Sequence, residues 1–253
     1  MLPEFLKEYQ DGLKKYKLDC IKIVATPIEP GEVTDIRQSK FAGVPYLPVN
    51  IDYPRDMNGI HMLLLAQINF AATPQLEGYP TEGILQFFVS KDWTEIGDNP
   101  RSDIEQSQVL YHTDTTEAYQ TDFSFLTQDL LMESPIPCEY KLAFTKNAEP
   151  GGPGDARFDF NFNGKEWFEY SEGLDEEQQD EFDEYFSTEG HKIGGYAYFT
   201  QDDESKQDDI PILQIDSEEG IMIGDVGVLH FFLSKKDLKN RNFENAYFQW
   251  DCC

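Results

Sequence analysis

The sequence predicts an α+β fold: one β-rich domain over residues 1–253, internally duplicated, with pseudo-twofold related halves and a few peripheral helices. Two observations carry this. Helical periodicity is confined to a few short segments, whereas apolar runs bounded by Gly and Pro recur along the chain. Three segments also return in the same order. Lys40–Tyr46 (KFAGVPY) matches Lys192–Tyr198 (KIGGYAY), Ala66–Asn69 (AQIN) matches Leu213–Asp216 (LQID), and Gly83–Ser90 (GILQFFVS) matches Gly227–Ser234 (GVLHFFLS). One match could arise by chance, because strands draw on a small β-favouring alphabet. Three in order point to repeat halves at approximately 21–145 and 146–253, a period far longer than a solenoid repeat.

In chain order, Leu2, Phe5, Leu6, Tyr9, Leu13 and Tyr16 recur at helical spacing and predict an amphipathic helix over 3–17. Ile21–Ala25 is a short strand stopped by Pro27 and Pro30. Phe41–Pro48, with one Gly and two Pro, is a tightly folded loop. Leu63–Phe70 and Ile84–Ser90 are neighbouring strands, Gln108–His112 is a further candidate, and Leu142–Thr145 is a weaker one. Glu149–Asp155 (EPGGPGD) reads as a long loop. Glu166–Gly190 carries eleven acidic residues and no Lys or Arg; within it Leu174, Phe182, Tyr185 and Phe186 mark a helix over roughly 175–186. Asp175, Glu176 and Glu177 in its first turn suit the helix dipole. A charged loop at 201–209 precedes strands at Ile212–Asp216 and Asp225–Ser234, a short helical piece at Lys235–Asn240, and a last strand at Ala246–Trp250.

Length and composition support a real core, at 253 residues and 40% hydrophobic content. The 48 acids against 20 bases give a net charge of −28. Nucleic acid and anionic membrane surfaces are therefore expected to be no partners, and a basic protein is the partner such a surface suits. Net charge also serves solubility alone. The first ten residues, MLPEFLKEYQ, carry Glu4 and Glu8 where a signal peptide needs an apolar run. Cys20, Cys138, Cys252 and Cys253 form neither a disulfide framework nor a zinc spacing. A cytoplasmic location follows as an expectation.

The matched strands carry one oddity. Alternation puts Gln67 and Asn69 on one face of an apolar strand, and Gln214 with Asp216 on one face of its mate. Two readings follow: the polar pairs line a shared cleft between the halves, or they bond loop backbone, as buried polar groups must. The second is favoured, because most side-chain hydrogen bonds go to backbone or water. His230 stands where the first half has Gln86, which points to hydrogen bonding rather than catalysis. No nucleophile–base pattern accompanies His61, His112, His191 or His230, and Gly151–Gly154 lacks the Lys-Ser/Thr of a phosphate loop. Asp202-Asp203-Glu204 and Asp208-Asp209 lack the spacing and central Gly of a calcium loop. No catalytic residue, metal ligand or cofactor is assigned. Arg241 is expected to pair internally.

SKFAGVPYLP, LLLAQINF, GILQFF, ILQID, GDVGVLHFF and FQWDCC together resemble the YwqG-like family, a bacterial domain of unknown function, over nearly the whole chain. The family's Phe-Gly-Gly-x-Pro stands here as Phe41-Ala42-Gly43-Val44-Pro45, and its Trp-Pro as Tyr53-Pro54. The resemblance implies an α+β fold with internal duplication. It brings no activity, and it hints at an immunity or toxin-neutralising role. The expected function is therefore non-enzymatic protein binding through an acidic surface that includes Glu176, Glu177, Asp180 and Glu181. The alternative is a small-ligand binder or enzyme with a cleft lined by Gln67, Asn69, Gln214, Asp216 and His230.

Overall fold

A computed structural model describes residues 1–29, 31–95, 106–201 and 209–252. Pro30, most of the predicted loop at 201–209 with its Asp202-Asp203-Glu204 run and Asp208, and Cys253 lie outside the described residues. Ten strands form one antiparallel sheet. They are β1 (Leu18–Pro27), β2 (Lys40–Phe41), β3 (Leu63–Asn69), β4 (Ile84–Val89), β5 (Ser107–His112), β6 (Tyr140–Glu149), β7 (Lys192–Gly194), β8 (Asp209–Asp216), β9 (Val228–Ser234) and β10 (Tyr247–Asp251).

The order across the sheet is β10-β9-β8-β7-β1-β6-β2-β3-β4-β5. The long pair β1–β6 is its centre, in register from Leu18 opposite Glu149 to Pro27 opposite Tyr140. On one side of it stand β2 to β5, on the other β7 to β10. The early strand β1 borders β7, and the later strand β6 borders β2. The flank β7–β10 is thus anchored by the first strand of the chain, and the flank β2–β5 by the mid-chain strand β6.

β3, β4, β8 and β9 are almost entirely buried on both faces, which is why they read as near-continuous apolar runs. The register of β3 on β4 shifts between Leu64 and Ala66, and that of β8 on β9 between Pro211 and Leu213. These bulges let consecutive residues, Leu65 with Ala66 and Ile212 with Leu213, share the central core. There the two flanks fold over one another. Phe87 meets Phe231 at 5.0 Å between ring centroids, Trp93 meets Trp250 at 5.0 Å, and Tyr111 meets Phe243 at 5.1 Å. The sheet curls until its edge strands β5 and β10 approach, and it is nearly closed.

The helices are peripheral: α1 (Gln10–Leu13), α2 (Gln128–Leu131), α3 (Trp167–Ser171), α4 (Glu176–Phe186) and α5 (Lys235–Asn240). The predicted N-terminal helix is a 3₁₀ segment over Glu4–Tyr9 that passes into the single turn of α1. Its Leu6, Tyr9 and Leu13 pack with Phe158, Phe162, Phe182, Phe186 and Tyr196 in a separate aromatic core. Asp175 caps α4 through a capping box with Gln178. The weak strand expected at Leu142–Thr145 is the ten-residue central strand β6, and Glu149, placed by the sequence in a loop, is its last residue. Among the described residues no helix is long and apolar enough to cross a membrane.

Candidate functional site

The strand β2 enters the site through Lys40, which lies opposite Gln67 of β3. The Gln67 side chain is fully buried and uses every hydrogen-bonding position it has. Its Oε1 accepts from the Tyr46 N–H at 2.7 Å and from Gln86 Nε2 at 2.8 Å. Its Nε2 donates to the carbonyls of Ile36 and Gln38, both at 2.8 Å. The chain segment 36–46 is thereby stitched onto the outer face of β3. Gln86 Oε1 takes the next bond, from His112 Nε2 at 2.9 Å.

The second flank repeats the four bonds made by Gln67. Lys192 of β7 lies opposite Gln214 of β8. Gln214 Oε1 accepts from the Tyr198 N–H at 2.9 Å and bonds His230 Nε2 at 3.1 Å. Its Nε2 donates to Thr188 O at 3.0 Å and Gly190 O at 2.8 Å. The carbonyls stand four and two residues before the lysine and the N–H six residues after it, as in the first flank. Because Gln214 Oε1 can only accept, His230 carries its proton on Nε2 and does what the Gln86 amide does. Ser39 Oγ accepts from the Asn69 N–H, and in the matching place His191 Nδ1 accepts from the Asp216 N–H, each at 2.9 Å. Asn69 Nδ2 donates to Arg37 O at 3.0 Å, whereas the Asp216 carboxylate accepts from the Gly190 N–H at 2.7 Å. The change from amide to carboxylate follows the peptide group that is presented.

Each lysine is buried against a glutamate. Lys40 Nζ donates to Glu139 Oε1 at 2.8 Å and to Val44 O at 2.9 Å. Lys192 Nζ donates to Glu149 Oε1 at 2.7 Å and to Thr188 O at 2.6 Å, and Glu149 Oε2 accepts from the Tyr196 N–H at 2.6 Å. Burial pulls the Lys192 pKa down against the opposing pull of Glu149. Burial, reinforced by Glu149, pushes the Cys20 thiol up to about 12, so this thiol is unreactive near neutrality. Burial also lowers His112 and His191 to about 4 and His230 to about 3. These rings are neutral at pH 7, too weakly basic to trade protons there.

The cleft reading is thereby corrected. Ala66, Ile68, Leu213 and Ile215 face the core between the flanks. Gln67 and Gln214 point the opposite way, each under its own loop, because alternation sends polar and apolar residues to opposite faces. Five steps of the sheet order separate β3 from β8. Glu139, Glu149, Lys40 and Lys192 were missed as partners; the signal available was one charged residue opening both KFAGVPY and KIGGYAY. Arg241 donates to the carbonyls of Leu238 and Tyr79 at 2.8 and 3.0 Å. Replacing Gln214 by Leu removes the acceptor Oε1 that the Tyr198 N–H uses and the Nε2 donor to the Gly190 carbonyl. Gln214→Leu and Gln67→Leu are each expected to cost about 3 kcal/mol in urea denaturation, with the midpoint moved and the slope unchanged.

No curated protein matches the chain. A family model described as "Domain of unknown function (DUF1963)" matches residues 39–252, from the serine beside Lys40 to the end of β10 and beyond. That span takes in both lysine-opened segments and both polar ladders, and the chain belongs to this family of unknown function.

Proposed function

We propose that the protein is a non-enzymatic binding module of the YwqG-like kind, built by internal duplication and acting in the cytoplasm, which captures a basic protein on the acidic face around α4. The observation that carries this reading is the mounting of α4. Phe182 and Phe186 lock one side of it into the aromatic core, while Glu176, Glu177, Asp180 and Glu181 stand exposed on the other. A rigid carboxylate array on a chain of net charge −28 speeds and orients the docking of a cationic partner. The interior polar groups support the same reading, since each ladder amide is used on backbone. Neutralising a basic toxin is one use that such a surface suits.

The test is capture from the native cell followed by mass spectrometry. Asp180→Lys and Glu181→Lys are combined with Glu176→Gln and Glu177→Gln, which spares the helix N-terminus from positive charge. Basic proteins retained by the wild type at low salt are expected to fall about tenfold with this variant. They should also fall with the wild type on raising the ionic strength to about 0.5 M. Recovery of the same proteins in the same amounts from both would remove α4 as the interface.

A further inference from the structure

Glu139 and Glu149 hold matched places with one difference. Each reaches its buried lysine, and each lies so close to the second glycine position, Gly43 or Gly195, that a Cβ there would collide with the carboxylate. Glu149 is closed off: its side chain is 2% exposed, and the Tyr196 N–H fills Oε2. Glu139 is 27% exposed, and its Oε2 takes no hydrogen bond among the described residues. The residue matching Tyr196 is Val44, which turns its carbonyl to Lys40 instead. Beside Glu139 runs a groove of about 500 Å³, walled by Leu64, Leu126, Leu131, Met132 and Ile136, with the exposed Cys138 on its rim. The volume lies within the range of small-molecule sites, and the mainly apolar lining also carries Gln128, Ser134 and the Glu139 carboxylate.

We propose that this groove binds an apolar primary amine, whose N–H donates to Glu139 Oε2 as the Tyr196 N–H donates to Glu149. The second flank shows which group such a carboxylate takes. The net charge of −28 selects the ammonium over an anion of equal shape, although Lys40 offsets part of the local attraction. The site stands apart from α4 and does not rest on the reading of that surface.

Phenethylammonium and 3-phenylpropionate serve as probes, with peptide-resolved alkylation of Cys138 as the readout and Cys252 as the internal reference. Phenethylammonium at about 10 mM is expected to slow Cys138 alkylation severalfold and leave Cys252 unchanged, while the carboxylate protects neither. Glu139→Gln should weaken the amine about tenfold by calorimetry. Leu131→Lys, at a half-exposed wall position, should weaken it similarly without depending on the Lys40 pair. No protection by the amine, equal protection by the carboxylate, or unchanged affinity in Leu131→Lys would overturn the proposal.

Discussion

Lowering the pH from 7 to 5 is expected to remove about 6 kcal/mol of folding stability through three histidines, about 2 kcal/mol from each. His112 and His191 titrate at about 4 and His230 at about 3 in the fold, against an ordinary value of 6.5. Between these limits the unfolded chain binds protons that the folded chain refuses. Stability is therefore fully present above 6.5 and declines as pH falls toward the folded values. The cause differs slightly among the three. Burial acts on all, and the Lys192 ammonium adds repulsion at His230. Asp216 pulls His191 the other way, and Glu218 Oε1 stands 3.7 Å from its Nε2. Below pH 5 protonation of carboxylates relieves the self-repulsion of an acidic chain and opposes the trend. His230→Gln isolates the effect, because glutamine already fills that place in the first flank as Gln86. The variant is expected to match the wild type near pH 7.5 and to lose about 2 kcal/mol less by pH 5 in urea titrations. Parallel curves for the two proteins would show that His230 is not held neutral by its surroundings.

That substitution is available because the correspondence of Gln86 with His230 is legible in the sequence. So are β3, β4, β8 and β9, whose apolar runs are long enough to require burial on both faces. The polar ladders were legible as an oddity and even in their preferred use, since a buried amide among backbone groups has little else to bond. Their face was not. Alternation says that Gln67 and Ile68 diverge, but only the curl of the sheet decides which face meets the other flank. β6 was hidden for a different reason. It lies at the centre of the sheet, yet Lys141, Thr145, Lys146 and Asn147 on it are exposed, so its pattern lacks the apolar run that marks a buried strand. Glu149 was hidden by its neighbours. Pro150 and three glycines follow it, and a loop is the reasonable reading until β1 and the Lys192 ammonium are seen to reach it. Long-range pairs of single charges leave no local signature.

The largest single-residue loss is expected at this same glutamate. Glu149→Leu should cost about 3–5 kcal/mol, because it leaves the Lys192 ammonium buried without a counter-charge. Lys192 has zero exposure, and among the described residues its Nζ has one other acceptor, Thr188 O. The Tyr196 N–H loses its acceptor in the same step. Lys192→Met should be costly for the converse reason, since it strands a carboxylate that is almost wholly enclosed. The double variant Lys192→Met/Glu149→Leu should then be more stable than the sum of the two losses predicts, by about 2 kcal/mol or more, because neither charge remains. It should still fall short of the wild type by the unpaired Tyr196 N–H, about 1–3 kcal/mol. Glu139→Leu provides the comparison within one molecule. Glu139 is partly exposed and donates nothing to the closure of a backbone turn, and Lys40 keeps Val44 O. Its loss should therefore be smaller than that of Glu149→Leu. Equal losses at the two glutamates in urea denaturation would mean that solvent reaches both pairs alike, and the distinction between a sealed pair and an open one would fail.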